Sequence, residues 1–264
     1  MVLFLLPPSE TKAKGGGALT IGEVALTFGG LNPTRNAVYS ALLQLCTDEP
    51  LAAKRLGLSP KQLGELAVNR AVQTAPTMRA FSRYTGTLYD AIHGGYTGTD
   101  EPLSAAAWKR AKESVLIQSS LFGLIPATDL IPDYRLGAGV SLPGLRLKQV
   151  WAQAHLPIFG RLNQGLIIDM RSKAYAELAP IPESVPHLRV EVVSRESSGQ
   201  LRALNHFNKR AKGLFVRAVL ETPVAPESIA DLVQIAASAG MELLNDEVGN
   251  QLVLVTDQIK KGER

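Results

Sequence analysis

One cysteine, Cys46, and four histidines, at positions 93, 155, 187 and 206, are all the thiol and imidazole groups this chain of 264 residues possesses. A single cysteine excludes an intrachain disulfide and a cysteine-built zinc site, and it suits a reducing compartment. The histidines are widely spaced and no two form a helical ligand pair, so neither a metal site nor a cofactor is expected. Cys46 ends the amphipathic stretch Ser40-Ala-Leu-Leu-Gln-Leu-Cys46; that setting favours a core thiol over a redox sensor. Long apolar runs are also missing. The longest opening one, Met1 to Leu6, is far below the roughly 20 residues of a membrane span, and it lacks the basic flank and cleavage site of a signal peptide. No membrane partner is expected. There is no G-x-G-x-x-G, no Walker P-loop and no G-x-S-x-G elbow, so dinucleotide, P-loop nucleotide and α/β-hydrolase chemistry have no signature here.

What is present is enough apolar sequence, 45% of residues, to bury a sizeable core. No repeat or low-complexity linker divides the chain, which reads as one domain over 1–264. Val2–Leu6 is a buried strand that ends in Pro7-Pro8. Helical periodicity covers 36–47, 59–74, 78–92, 105–112 and 228–239, and strands are expected at 114–118, 165–170 and 187–193. Residues 241–244 and 251–256 suggest a closing hairpin. Strands separated by helices give a mixed α/β (α+β) class. Their order looks too irregular for a doubly wound sheet.

The net charge of +4 is unevenly placed. Residues 134–220 hold 13 Lys/Arg against 5 Asp/Glu, and the rest of the chain holds 15 against 19. Such asymmetry is the footprint of a phosphate-bearing partner, although a solvated basic face gives the same pattern. Read as a helix, 201–220 places Leu204, Phe207, Ala211, Leu214, Phe215 and Ala218 on one face. Arg202, His206, Lys209, Arg210, Gly213 and Arg217 fall opposite, with Lys212 at the margin, and no acid lies within the helix to pair with them. Gly213 among these cations would let a partner approach.

Four segments carry a resemblance. They are Leu6-Pro-Pro-Ser-Glu-Thr-Lys12, Tyr84-Thr-Gly-Thr-Leu-Tyr-Asp90, the stretch Leu121–Leu136 (LFGLIPATDLIPDYRL), and Asn208-Lys-Arg-Ala-Lys-Gly213. In this order and at these separations the chain resembles the YaaA peroxide-stress protein family over nearly its whole length. The first loop departs from the family's frequent Ser-Pro-Ala-Lys, since Ser-Glu-Thr separates Pro8 from Lys12. The resemblance implies a cytoplasmic protein that limits damage from intracellular iron under peroxide. It also implies a YaaA-like fold with central strands wrapped by helices around a basic cleft, and DNA binding through a helix-hairpin-helix-like element. Ser119–Leu130 is the stretch that could supply that element, with Gly123 at the bend and Pro126 opening the next helix; an ordinary connection fits it as well.

Two functional readings stand side by side. In the first, Arg135, Arg202, Lys209, Arg210, Lys212 and Arg217 contact DNA phosphates. In the second, an enzyme binds a small anionic ligand, phosphorylated or nucleobase-like, in a pocket of Ser9, Lys12, Tyr84, Thr85, Tyr89, Tyr134 and Arg135. Arginine grips phosphate two-pronged and tyrosine stacks or donates. Glu10, Lys12 and Asp133 are then the candidates for acid, base or electrostatic support. Asp169-Met-Arg-Ser-Lys173 follows a strand, where it either extends the cleft or forms a solvated turn.

Overall fold

The computed structural model describes residues 2–95, 102–162, 165–195, 200–203 and 208–257. The opening apolar run is strand β1 (Val2–Leu6), buried at every position. It lies parallel between two later strands, with Phe4 opposite Val115 on one side and Ile168 on the other. A strand covered on both faces has no solvent side, which is why it reads as an unbroken apolar run.

Before the chain returns to the sheet, the described residues form, besides two 3-10 turns, α1 (Asn32–Leu45), α2 (Glu49–Leu56), α3 (Glu65–Arg70), the short strand β2 (Met78–Arg79), α4 (Ala80–Arg83), α5 (Thr87–His93) and α6 (Ala105–Ser114). Asp48 caps α2 by accepting from the Leu51 N–H, and Ser104 caps α6 by accepting from that of Ala107. Next come β3 (Val115–Ser119), β4 (Gly123–Pro126), β5 (Leu130–Ile131), α7 (Leu147–Phe159), β6 (Leu166–Asp169), α8 (Lys173–Leu178) and β7 (His187–Arg195). The chain continues with β8 (Leu201–Ala203), α9 (Asn208–Glu221), α10 (Ile229–Ser238), β9 (Glu242–Asp246) and β10 (Gln251–Asp257).

The sheet runs β4-β3-β1-β6-β7-β10-β9, with β8 also beside β7. Strands β3, β1, β6, β7 and β10 are mutually parallel, while β4, β8 and β9 join antiparallel. Numbered by their order in the chain, the five parallel strands lie 2-1-3-4-5, an order used by doubly wound sheets. The expectation of an irregular order is corrected here. The insertion at 7–114 and the antiparallel additions conceal a regular parallel centre.

Outer strand β4 is closed off by side chains. Arg35 donates from Nε to Phe122 O at 2.8 Å and from Nη2 to Leu124 O at 3.2 Å. His155 Nε2 accepts from the Leu124 N–H at 3.0 Å while Nδ1 donates to Trp151 O at 2.7 Å. These bonds require a neutral imidazole, and burial lowers its pKa to about 4. The edge is thereby closed to further strand pairing.

Other expectations change for local reasons. The helix expected over 59–74 is a single turn at Pro60–Gln62 followed by α3. The one expected over 78–92 divides into β2, α4 and α5: Tyr84 leaves the helix to bridge Lys12, and Gly86 takes a φ of 93° that interrupts it. Ser119–Leu130 forms no helix-hairpin-helix. It is the β3–β4 turn, with Ser119 opposite Gly123, and Pro126 closes a strand instead of opening a helix. Residues 201–203 pair with β7, so the basic helix begins at Asn208. Leu204, His206 and Phe207 lie outside the described residues. No helix among the described residues is long and apolar enough to cross a membrane.

Candidate functional site

The 2-1-3-4-5 order places a topological switch between β1 and β6. The chain leaving β1 next enters the sheet at β3, and the chain leaving β6 next enters on the other side, at β7. Segments that diverge from neighbouring strand ends leave a crevice there, the usual ligand position in an open α/β sheet. A cleft of about 630 Å³ occupies this place. Its walls are the loop after β1 (7–11), the start of α5 (85–89), the segment after β6 with Met170, Ser172 and Tyr175, and the start of α9 with Asn208, Lys209 and Lys212.

Hydrogen bonds fix the first two walls to each other. Tyr89 donates its hydroxyl to Pro7 O at 2.7 Å, and the Thr85 N–H donates to Thr11 O at 3.1 Å. Ser9 and Thr11 hydroxyls lie 3.2 Å apart. Gly86 has a φ of 93°, which side chains rarely adopt, and an added Cβ would stand 2.9 Å from Thr11 Oγ1, so glycine suits the position facing these hydroxyls. The third wall rests on a buried ion pair. Arg171 donates from Nε and Nη2 to the two Asp169 oxygens at 2.9 and 2.8 Å, and from Nη1 to Ala179 O at 2.7 Å. Burial alone would raise the Asp169 pKa, but its hydrogen bonds and charge contact with Arg171 hold it below the usual value.

The fourth wall supplies the cations. Lys209 is exposed, whereas Lys212 is buried with Nζ donating to Met170 O at 3.2 Å. Burial lowers the Lys212 amine to about 8, partly opposed by Glu191 and Asp169. Among the described residues Glu10 is the only carboxylate in the lining. It is drawn aside by Arg135, whose Nη2 donates to Glu10 Oε2 at 2.7 Å.

The pocket residues expected from sequence divide into two groups. Ser9, Glu10, Thr85 and Tyr89 line the cleft. Lys12, Tyr84, Tyr134, Asp133 and Arg135 are not part of its lining and gather on the other side of the Glu10 loop. There Lys12 Nζ lies 4.2 Å from the Tyr134 ring centre and 5.7 Å from that of Tyr84, and it donates to Glu10 O at 3.3 Å. Burial lowers this amine to about 8 against the opposing pull of Asp133. Tyr84, Tyr134 and Ser119 hydroxyls form a buried chain with both links at 2.8 Å. Asp133 pairs with Lys14 at 2.7 Å.

The cationic face expected on the basic helix is not one solvated surface. Lys212 and Gly213 are buried. Gly213 sits against α5, where Ala91 Cβ would be 2.7 Å from an added methyl and Leu88 O closer still. Arg217 donates to Ile92 O at 2.9 Å, bracing the end of α5. Arg202 is exposed on β8, and Arg210 is half-buried outside the cleft lining. The helical wheel failed because α9 is covered on two sides, by α5 and by the sheet, so its buried arc is wider than an amphipathic stripe. The segment 169–173 does extend the cleft, through Met170 and Ser172, above its buried Asp169–Arg171 pair. Thr11, Thr87 and Asn208 lie in the segments that carry the resemblance but were not named as site candidates, and Tyr175 lies outside those segments. A strand–loop–helix signal at 166–178 could have drawn attention to Tyr175.

The family described as Peroxide stress protein YaaA matches residues 2–243. A UPF0246 protein of Streptomyces coelicolor is 39% identical over 245 residues, 92% of each chain. One from Corynebacterium glutamicum strain R is 37% identical over 91% of this chain and 94% of its own. Another, from Corynebacterium efficiens, is 35% identical over 96% of this chain and 100% of its own. From these matches, spread over β1, the cleft walls and α9 alike, the chain belongs to the YaaA peroxide-stress protein family.

Proposed function

We propose that this protein acts in the cytoplasmic response to peroxide stress by binding a phosphate-bearing ligand in the cleft between β1 and β6, and that this serves to limit damage from intracellular iron. The observation that carries the ligand class is the pairing of Lys209 and Lys212 in a cleft rich in hydroxyls, whose one lining carboxylate is already held by Arg135. Hydroxyl donors and lysines suit phosphate oxygens, and a strand-end crevice is where such groups are commonly bound. About 630 Å³ accommodates a nucleotide-sized group and not a duplex. Nucleic acid therefore enters this reading as a single unit of a strand seated in the cleft. Arg202, Arg210 and Arg217 have no lining position and contribute at most from outside it.

The test is titration with a nucleoside monophosphate, a single-stranded oligonucleotide and a duplex, each at 50 and 200 mM salt. Binding by a strand predicts a log–log salt slope of about −0.7 per phosphate engaged. Binding of the monophosphate alone, with a shallow slope, assigns the cleft to a free nucleotide-like metabolite. In either case Lys209→Ala weakens binding. Failure of all three ligands to bind, or full binding by Lys209→Ala, rejects the reading. A second reading, an enzyme acting on a phosphorylated small molecule, is favoured by the burial of Lys212 in the same cleft, which lowers its amine to about 8.

A further inference from the structure

Lys209 and Lys212 lie three residues apart on one helix and line one cleft, in opposite surroundings. Lys209 is exposed to solvent, while Lys212 is only 8% exposed. Among the described residues Lys212 has one hydrogen-bond acceptor, Met170 O, against three N–H donors. It makes no ion pair among the described residues. The charged groups around it are otherwise engaged: Asp169 is bound bidentately by Arg171, and Glu191 lies 3.0 Å from Arg189 Nε. The other titratable groups in the cleft walls are Glu10, held by Arg135, exposed Lys209, and Tyr89 and Tyr175, whose pKa values burial pushes up, Tyr175 to about 12.

A buried lysine facing a cleft, its neighbouring carboxylates Asp169 and Glu191 engaged by arginines rather than paired with it, is the arrangement that keeps an amine nucleophilic. With the amine lowered to about 8, roughly a tenth of it is neutral at pH 7. An unperturbed lysine is neutral to about one part in three thousand, so the gain in free amine is about 300-fold. Among the described residues the other lysine of the cleft lining, Lys209, is exposed.

We propose that Lys212 forms a reversible imine with a phosphorylated aldehyde or ketone bound in this cleft, Lys209 holding the phosphate. The proposal rests on the reading of the cleft as a phosphate site. In the step, the nitrogen lone pair attacks the carbonyl carbon and the carbonyl π electrons move to oxygen. The oxygen takes the proton that leaves nitrogen, giving a carbinolamine. Proton uptake from solvent and loss of water then break the C–O bond as the nitrogen lone pair forms C=N, leaving a protonated imine. Addition of water reverses the sequence, so no oxidant or reductant is required.

The test uses the full chain with glycolaldehyde phosphate, and glycolaldehyde as the control, in the presence of cyanoborohydride, which reduces the imine to a stable secondary amine. Peptide mapping by mass spectrometry is expected to find one adduct per chain, at Lys212, forming roughly tenfold or more faster than at Lys209. Its rate should rise with pH up to about 8. Lys212→Arg keeps a cation in place and should abolish the adduct, with Lys212→Met as a second variant if the first fails to fold. Lys209→Ala should slow the phosphorylated probe to the rate of glycolaldehyde. Labelling spread over surface lysines and unchanged by Lys212→Arg overturns the proposal, and equal labelling by the two aldehydes overturns the role given to Lys209. Nucleotide or inorganic phosphate binding without trapping sinks the imine alone, whereas loss of both sinks the phosphate reading with it.

Discussion

Replacing Gly213 by alanine separates two accounts of α9 by the sign of the effect. On a solvated helix face, Gly→Ala stabilises by about 1 kcal/mol, because alanine loses less backbone entropy and is the best helix former. In the folded protein the new methyl would stand 2.7 Å from Ala91 Cβ and closer still to Leu88 O. The obstacle is α5 backbone, not the end of a flexible side chain, so α9 and α5 must separate by several tenths of an ångström. Overpacking of this kind costs about 1–3 kcal/mol, and at a rigid carbonyl the upper end applies. Set against the propensity gain, a net destabilisation of about 1–2 kcal/mol is expected. For a chain of this size each kcal/mol lowers Tm by about 2–4 °C. Urea unfolding and thermal melts of the variant measure it directly. Because α5 carries Tyr89 and α9 carries Lys212, the same shift should widen the cleft and weaken ligand binding. A Tm equal to or above that of the parent would refute the packing argument.

Acid should destabilise the protein through His155. Its folded pKa of about 4 lies below the ordinary 6.5, so the unfolded chain binds more protons between those values. Stability is then fully present above about pH 6.5 and falls as pH drops toward 4, by up to about 3 kcal/mol. His155→Gln should flatten that part of a pH series of urea midpoints, and an unchanged acid loss would count against it. Lys212 behaves as a buried base whose folded pKa, about 8, is below 10.5. Its penalty is present below pH 8 and is relieved as pH rises toward 10.5, so Lys212→Met should be more stable than the parent at pH 7 by about 1–3 kcal/mol, even as ligand binding fails. Equal stability of the two at pH 7 contradicts the desolvation argument. Asp169→Ala leaves the Arg171 guanidinium buried without its carboxylate and should cost about 3–5 kcal/mol, read as a lowered urea midpoint. A loss below about 1 kcal/mol would mean that the pair is replaceable by water.

The amino-acid sequence determined those features that depend on local pattern. Val2–Leu6 is unbroken and apolar because it lies between parallel neighbours, 187–193 alternates as its strand is half covered, and Ser228 with Asp231 announces the capped start of α10. The mixed α/β class was legible from such signals, and the family from the four motif segments that resemble it. Tertiary structure decided what depends on neighbours distant in the chain. The 2-1-3-4-5 order arises only when residues 115–119 return beside β1 and residues 166–169 take its other side, a pairing that no local period encodes. Gly86 interrupts a helix that periodicity alone would carry through, with a φ of 93° beside the Tyr84 bridge to the distant Lys12. Gly213 read as a member of an exposed basic face with Lys212 at its margin, yet α5 and the segment after β6 cover them. The charge was visible in the sequence. Which of its amines would be stripped of water, and so given a different chemistry, was decided by the packing of α9 against the sheet.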